Sequence, residues 1–236
     1  MSVRLTVIGS SPAWPNPGSA QSGYLLEADG KLLLDCGPGV LGRLRETGLL
    51  DVDAIAITHF HLDHWGDLVP WCWLAAYGRE RLPRPRLLVP PGGSAQLERF
   101  ADLWGNEAMF DRAFAVEEYL PGTPLEAAGF VLEARRVPHF ELPAYGFRVT
   151  CEGRTLAYSG DSGPGPHLNG LAAGADLFLC EATLERGDKE ARPRGHLAAD
   201  EAVAAATGPV LLTHRPVELP PPNGVPLARD GLVVEV

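Results

Sequence analysis

The chain has 236 residues, long enough for one large domain with a full core. Hydrophobic residues make up 45% and charged residues 21%, the balance of an ordinary soluble globular protein. A net charge of −10 argues against broad non-specific nucleic-acid binding, and no apolar run approaches the roughly 20 residues that span a bilayer, so a membrane partner is not expected.

The N-terminal segment alternates too strictly for a signal-peptide core and reads as a first strand over 3–9. A loop rich in Pro, Gly, Ser and Asn follows. Residues 24–28 and 31–35 then form a hairpin around Asp29-Gly30. The pattern predicts a helix over 40–47 stopped at Gly48, a buried strand over 54–57, and a helix over 65–77 carrying Trp71 and Trp73. A strand over 86–89 precedes a helix capped by Ser94 and running to about 104. Strands near 113–119, 130–137, 144–150 and 155–158 suggest a run of antiparallel pairs. A helix over 164–173, a strand over 176–180, a helix over 198–206, a strand over 210–213 and an edge strand over 232–234 complete the chain. No linker interrupts it, so 1–236 is expected to be one domain with two sheets and helices on the outer faces.

Cys36, Cys72, Cys151 and Cys180 are scattered, without CxxC spacing. They read as small core hydrophobes in a reducing compartment, which places the protein in the cytoplasm. Arginines cluster at Arg79, Arg81, Arg84 and Arg86, read as a solvated loop, and again at Arg186, Arg192 and Arg194.

The chemistry concentrates in Thr58-His59-Phe60-His61-Leu62-Asp63-His64. Only 7 His occur in the chain, and three of them sit here with a carboxylate. Imidazole suits zinc and similar metals, and a carboxylate adds charge and an oxygen able to bridge. These four are too crowded to face one ion along a regular helix or strand. A loop at a strand end can splay them into two sets serving two metals. Three further strand ends carry ligand-type side chains: His139 after 130–137, Asp161 after 155–158, and His214 after 210–213. Leu212-Thr213-His214 copies the Ile57-Thr58-His59 pattern. Asp35, also at a strand end, reads as a buried carboxylate that accepts the second N–H of a ligand histidine.

Asp35, His59, His61, Asp63, His64, His139, Asp161 and His214 together resemble the metallo-β-lactamase superfamily, and its ribonuclease Z-like and cyclic phosphodiesterase branch in particular. The resemblance spans nearly the whole chain and implies a four-layer αββα sandwich of α/β class with the site at one edge. It implies that one metal takes His59, His61 and His139, a second takes Asp63, His64 and His214, and Asp161 bridges both. Glu181-Ala182-Thr183 resembles the His-Glu-Ala-Thr loop of that branch, with Cys180 in place of its first histidine. Gly195-His196-Leu197-Ala198 resembles the partner loop whose histidine assists catalysis, with Leu197-Ala198 in place of Ser-Thr. His167 matches no family role and reads as a surface residue. The long arm that ribonuclease Z carries between the equivalents of His139 and Asp161 has no room here, which favours a small or cyclic phosphodiester over transfer-RNA.

Two divalent ions, zinc or else manganese or iron, could share a bridging hydroxide that attacks the phosphorus in line. Asp63 would bind metal and orient the nucleophile. His196, its tautomer fixed by Glu181, would protonate the leaving oxygen or bind a phosphoryl oxygen. Arg192 and Arg194 could supply charge near the phosphate. The alternatives are ribonuclease Z-type 3′ processing, a lactone or thioester hydrolase, and a metal-binding scaffold without activity. Loops around Trp14, 65–77 and 140–143 would set the pocket. A homodimer is left open.

Overall fold

The structure, a computed structural model, describes residues 3–79, 82–222 and 224–236. Two mixed sheets face each other. The first contains β1 (Arg4–Gly9), β2 (Gly23–Glu27), β3 (Lys31–Leu34), β4 (Ala54–Ala56), β5 (Arg86–Val89), β6 (Ala115–Glu118) and β13 (Val233–Glu235), in the order β13-β1-β2-β3-β4-β5-β6. The second contains β7 (Leu125–Ala127), β8 (Phe130–His139), β9 (Leu142–Cys151), β10 (Arg154–Tyr158), β11 (Leu177–Glu181) and β12 (Val210–Thr213), in the order β12-β11-β10-β9-β8-β7.

Strand periodicity builds the layers, because alternate side chains point to opposite faces. Leu32 and Leu34 enter the core between the sheets with Leu5, Val7, Phe130, Phe147 and Tyr158. Leu33, one residue out of phase, faces the helices α1 (Val40–Thr47), α3 (Leu68–Tyr77), α4 (Gly93–Leu103) and α5 (Met109–Ala113) through Val40, Trp71, Leu97 and Phe110. On the far side, Phe178, Cys180 and Leu212 pack against α6 (His167–Ala172) and α7 (Ala199–Ala205). These layers make the αββα sandwich that the resemblance implies.

The hairpin forms as expected, with Tyr24 opposite Leu34 and Glu27 opposite Lys31. Helix α1 buries Val40, Leu41 and Leu44 and closes on Gly48 at φ 72°, whose N–H donates to the Leu44 carbonyl.

Several expectations need correction. The helix expected over 65–77 is two: α2 (Leu62–Trp65) and α3, with Asp67 at the joint accepting the backbone N–H of Leu41 at 2.8 Å. Ser94 lies inside α4, whose N-cap is Gly92 in the left-handed region; the Glu118 carboxylate accepts the Gly92 and Ser94 N–H groups at 2.9 and 3.1 Å. The strand expected over 113–119 is the end of α5 followed by β6, and β6 pairs parallel with β5 in the first sheet. The antiparallel run therefore holds only from β7 to β10, and β7 escaped notice because it is three residues long. Arg81 lies outside the described residues.

All four cysteines are free, with Cys36, Cys72 and Cys180 buried. No helix among the described residues is long and apolar enough to cross a membrane. The interval from His139 to Asp161 is filled by β9, a tight turn and β10, which leaves no arm.

Candidate metal centre and active site

The cluster assembles where strands of both sheets end. β3 delivers Asp35, β4 delivers the 58–64 segment, β8 ends on His139, and β10, β11 and β12 lead to Asp161, Glu181 and His214. Gly37 makes the crowding possible: a Cβ there would lie 1.9 Å from the Asp63 carbonyl oxygen. The adjacent Cys36 N–H donates to the His64 carbonyl at 2.7 Å, tying β3's exit to the histidine segment.

Two groups of side chains result, each able to hold a metal ion. His59, His61, His139 and Asp161 form one; Asp63, His64, Asp161 and His214 form the other, and within each the ligand-type atoms lie within 4.8 Å of one another. Asp161 belongs to both. Its Oδ2 lies 3.9 Å from Nε2 of His59 and of His139, while its Oδ1 lies 3.3 Å from Nε2 of His64 and 3.6 Å from Nε2 of His214. His61 turns Nδ1 inward, 2.9 Å from Nε2 of His139. Asp63 Oδ2 lies 3.0 Å from Nε2 of His214 and 3.4 Å from Nε2 of His64.

Four of the five imidazoles are anchored through the opposite nitrogen. Nδ1 of His64 is held by Asp35 Oδ2 at 2.7 Å, Nδ1 of His139 by the Gly195 carbonyl at 2.8 Å, Nδ1 of His59 by Thr58 Oγ1 at 3.1 Å, and Nδ1 of His214 by Thr183 Oγ1 at 2.9 Å. Each anchor fixes a ring so that its Nε2 faces the cluster. Asp35 thus sits where its sequence position suggested. It also accepts from Tyr158 OH at 2.8 Å and from the Thr58 N–H at 2.8 Å. Thr58, Thr183, Tyr158 and Gly195 were not assigned roles from the sequence. The threonines flank expected residues and were within reach of that reading. Tyr158 and Gly195 meet their partners only through the fold.

The electrostatics fit cation binding. Burial holds His59 well below the usual imidazole range, with His64 adding to it, and burial also lowers His61 and His139. These rings are therefore neutral, the form that binds metal. His64 goes the other way. Burial opposes its charge, yet Asp161, Asp63 and Asp35 raise it well above the usual range. Asp63 and Asp161 are likewise held low against burial, Asp63 chiefly by His64 and Asp161 by His214 and His64. The centre thus gathers carboxylate charge that calls for positive charge among them. Three buried atoms in it, His59 Nε2, His64 Nε2 and Asp161 Oδ1, have no hydrogen-bond partner. Unsatisfied buried lone pairs beside borderline and hard donors are what a divalent cation satisfies.

Beside the cluster stands the Glu181–His196 pair. His196 Nδ1 lies 3.2 Å from Glu181 Oε1 and 3.8 Å from Asp161 Oδ2. Glu181 is fully buried and accepts N–H donors from Ser162 at 3.1 Å, Leu197 at 3.2 Å and Thr183 at 3.0 Å. Glu190 holds the loop from outside, accepting the Gly195 and His196 N–H groups at 2.7 and 2.9 Å.

Two expectations fail here. Arg194 is already paired: Glu201 engages both its terminal nitrogens at 2.7 and 2.6 Å. Arg192 is exposed, beside it in the chain. His167 is not a free surface residue either. It is half-buried at the start of α6, with Nε2 2.9 Å from Oγ of Ser162, the neighbour of Asp161.

A sandwich of this kind with such a centre defines a hydrolase of the metallo-β-lactamase fold. The Beta-lactamase superfamily domain model matches residues 31–209, and the chain belongs to that superfamily, in its ribonuclease Z-like branch. It is 35% identical over 225 residues to the uncharacterized protein Rv1339 of Mycobacterium tuberculosis, covering 92% of this chain and 82% of that protein. It is 30% identical over 220 residues to the probable metallo-hydrolase YhfI of Bacillus subtilis, covering 91% of this chain and 87% of that protein. The YhfI crystal structure matches with a TM-score of 0.85 at 26% identity over 100% of both chains. Human tRNase Z, short form, matches with a TM-score of 0.77 at 26% identity over 98% of each chain.

Proposed function

We propose that this protein is a phosphodiesterase acting on a small or cyclic phosphodiester with two divalent ions. His59, His61 and His139 would hold one ion, Asp63, His64 and His214 the other, and Asp161 both. The imidazole and carboxylate donors suit zinc, and manganese or iron as well. When bound, the ions supply Lewis acidity that activates water and neutralises charge on the attacked phosphoryl group. Both sheets share one inner core and both contribute to the centre, which supports a single domain over 1–236.

The protein's own groups do the rest. Asp63, held ionised, orients the attacking water through its free acceptor capacity. Glu181 accepts from Nδ1–H of His196 at 3.2 Å, which in the protonated ring leaves Nε2–H free to donate. His196 is pushed up to about 9: burial opposes the charge, and the Glu181 carboxylate overcomes it. A histidine whose protonated form a buried carboxylate favours is suited to donate to a leaving oxygen.

The Glu181–His196 pair carries this reading, because the cluster is complete without it. Ester hydrolysis by such a cluster needs no donor of this kind. The filled interval between His139 and Asp161 weighs against ribonuclease Z-type processing, the activity that the name of one relative describes.

The test is His196→Ala. Metal content and fold should persist, while turnover of a phosphodiester falls by on the order of 10²–10⁴-fold. The loss should be largest for a nucleoside alcohol and smaller for p-nitrophenolate, which leaves without a proton. Turnover within a few-fold of the parent on every substrate would remove the reason to prefer a diester.

A further inference from the structure

Phe140 follows His139 directly and adopts φ 48°. That left-handed conformation is disfavoured for a bulky side chain and persists only where the surroundings enforce it. Its neighbour across the loop is Gly195, where a Cβ would lie 2.4 Å from the nearest ring carbon. Any other residue at 195 would displace the ring. The same glycine donates its N–H to Glu190 and offers its carbonyl to His139. Two independent backbone features therefore set this one aromatic ring in place.

The ring stands edge-on to His196, with centroids 5.5 Å apart at 83°, and 4.9 Å from the ring of His139. Among the described residues, the rings adjoining His196 are those of His139, His214 and Phe140. The two histidines are 0% and 2% exposed, whereas Phe140 is 39% exposed. An acid at His196 must reach the leaving oxygen, so the leaving group lies against His196. The body of that leaving group then extends over Phe140.

We infer that Phe140 is a specificity residue, a platform on which a flat ring of the leaving group stacks, and that the substrate is a nucleoside phosphodiester. The inference rests on the phosphodiesterase reading above and narrows it from any small diester to one bearing a base. Stacking on an aromatic face accepts every base, because each has a π-face. An acyclic alkyl or glycerol diester gains nothing from it.

The test compares the metal-loaded parent with Phe140→Ala, Phe140→Leu and Phe140→Trp. The substrates are adenosine 2′,3′-cyclic phosphate and glycerol 1,2-cyclic phosphate. Alanine and leucine should raise KM for the nucleotide about tenfold to a hundredfold, leave kcat within a few-fold, and leave both constants for the glycerol diester unchanged. Tryptophan should keep the parental values. Leucine retains apolar packing on Gly195, so its loss reports the flat ring and not the fold. Calorimetric titration with adenosine 3′-monophosphate and with glycerol 2-phosphate gives a readout free of turnover; only the first should weaken in the alanine and leucine variants. Equal changes for both substrates, or a fall in kcat for both, would overturn the inference and leave Phe140 as a positioner of His196. If the parent hydrolyses neither diester, the phosphodiesterase reading fails by itself, and the two monophosphate affinities still decide whether the ring binds a base.

Discussion

The hydroxyl of Thr183 lies 2.9 Å from Nδ1 of His214, and the same oxygen lies 2.9 Å from Oε2 of Glu181. A hydroxyl has one proton to give. A carboxylate can only accept, and its charge makes it a stronger acceptor than the His214 carbonyl 3.0 Å away, so the hydroxyl donates to Glu181 and accepts the His214 Nδ1–H. Thr58 repeats the arrangement, 3.1 Å from Nδ1 of His59 and 2.9 Å from Oδ2 of Asp35. Each threonine thus fixes the tautomer of a centre histidine by relaying to a buried carboxylate.

Thr183→Val keeps the shape and removes the relay. Without it, Nδ1 of His214 has no acceptor and the ring is free to take the other tautomer. Affinity for the cation beside Asp63 should fall tenfold to a hundredfold, read by competition with a chelator. Thr183→Ser should restore it. Unchanged affinity in the valine variant would remove the relay from the account.

Asp35→Ala should destabilise the metal-free protein by about 3–5 kcal/mol. The carboxylate is buried and accepts from His64, Tyr158 and both the N–H and the hydroxyl of Thr58, so its loss strands four buried donors. Alanine also suits φ 59° poorly, whereas asparagine tolerates it better. Asp35→Asn should therefore cost less than alanine. Urea unfolding measures both; a cost below about 1 kcal/mol for alanine would show that the network contributes little.

His196 should hold its proton through neutral pH in the metal-free protein and release it near pH 9. Its folded value lies above the ordinary value of 6.5. The stabilisation is then fully present below pH 6.5 and is lost as pH rises through about 9. Glu181→Gln removes the carboxylate and leaves burial, so the midpoint should fall to the ordinary value or below. NMR titration of the ring protons reads both. A parental midpoint near the ordinary value, unmoved by Glu181→Gln, would contradict the pairing.

Much of this site was legible because its signals are local. His59 to His64 lie in one short run, and the threonine–histidine ends of β4 and β12 repeat one pattern. The helix break at Asp67 was not legible, since its cause is an N–H on α1 that the carboxylate turns back to meet. Residues 109–113 are too few to show helical period, and β6 owes its sheet to parallel pairing with β5, fixed by the fold alone. Arg194 misled through proximity to His196; its partner Glu201 lies in the first turn of α7.

The most direct measurement is a hydrolysis screen of the metal-loaded protein. It sets bis-p-nitrophenyl phosphate and 2′,3′-cyclic nucleotides against precursor transfer-RNA, a lactone and a thioester, with metal content determined by elemental analysis on the same sample. The account predicts about two metals per chain and turnover of the small diesters well above every other substrate. Preferred cleavage of the lactone or thioester with the diesters untouched, or specific 3′ trimming of transfer-RNA faster than any small diester, would contradict it.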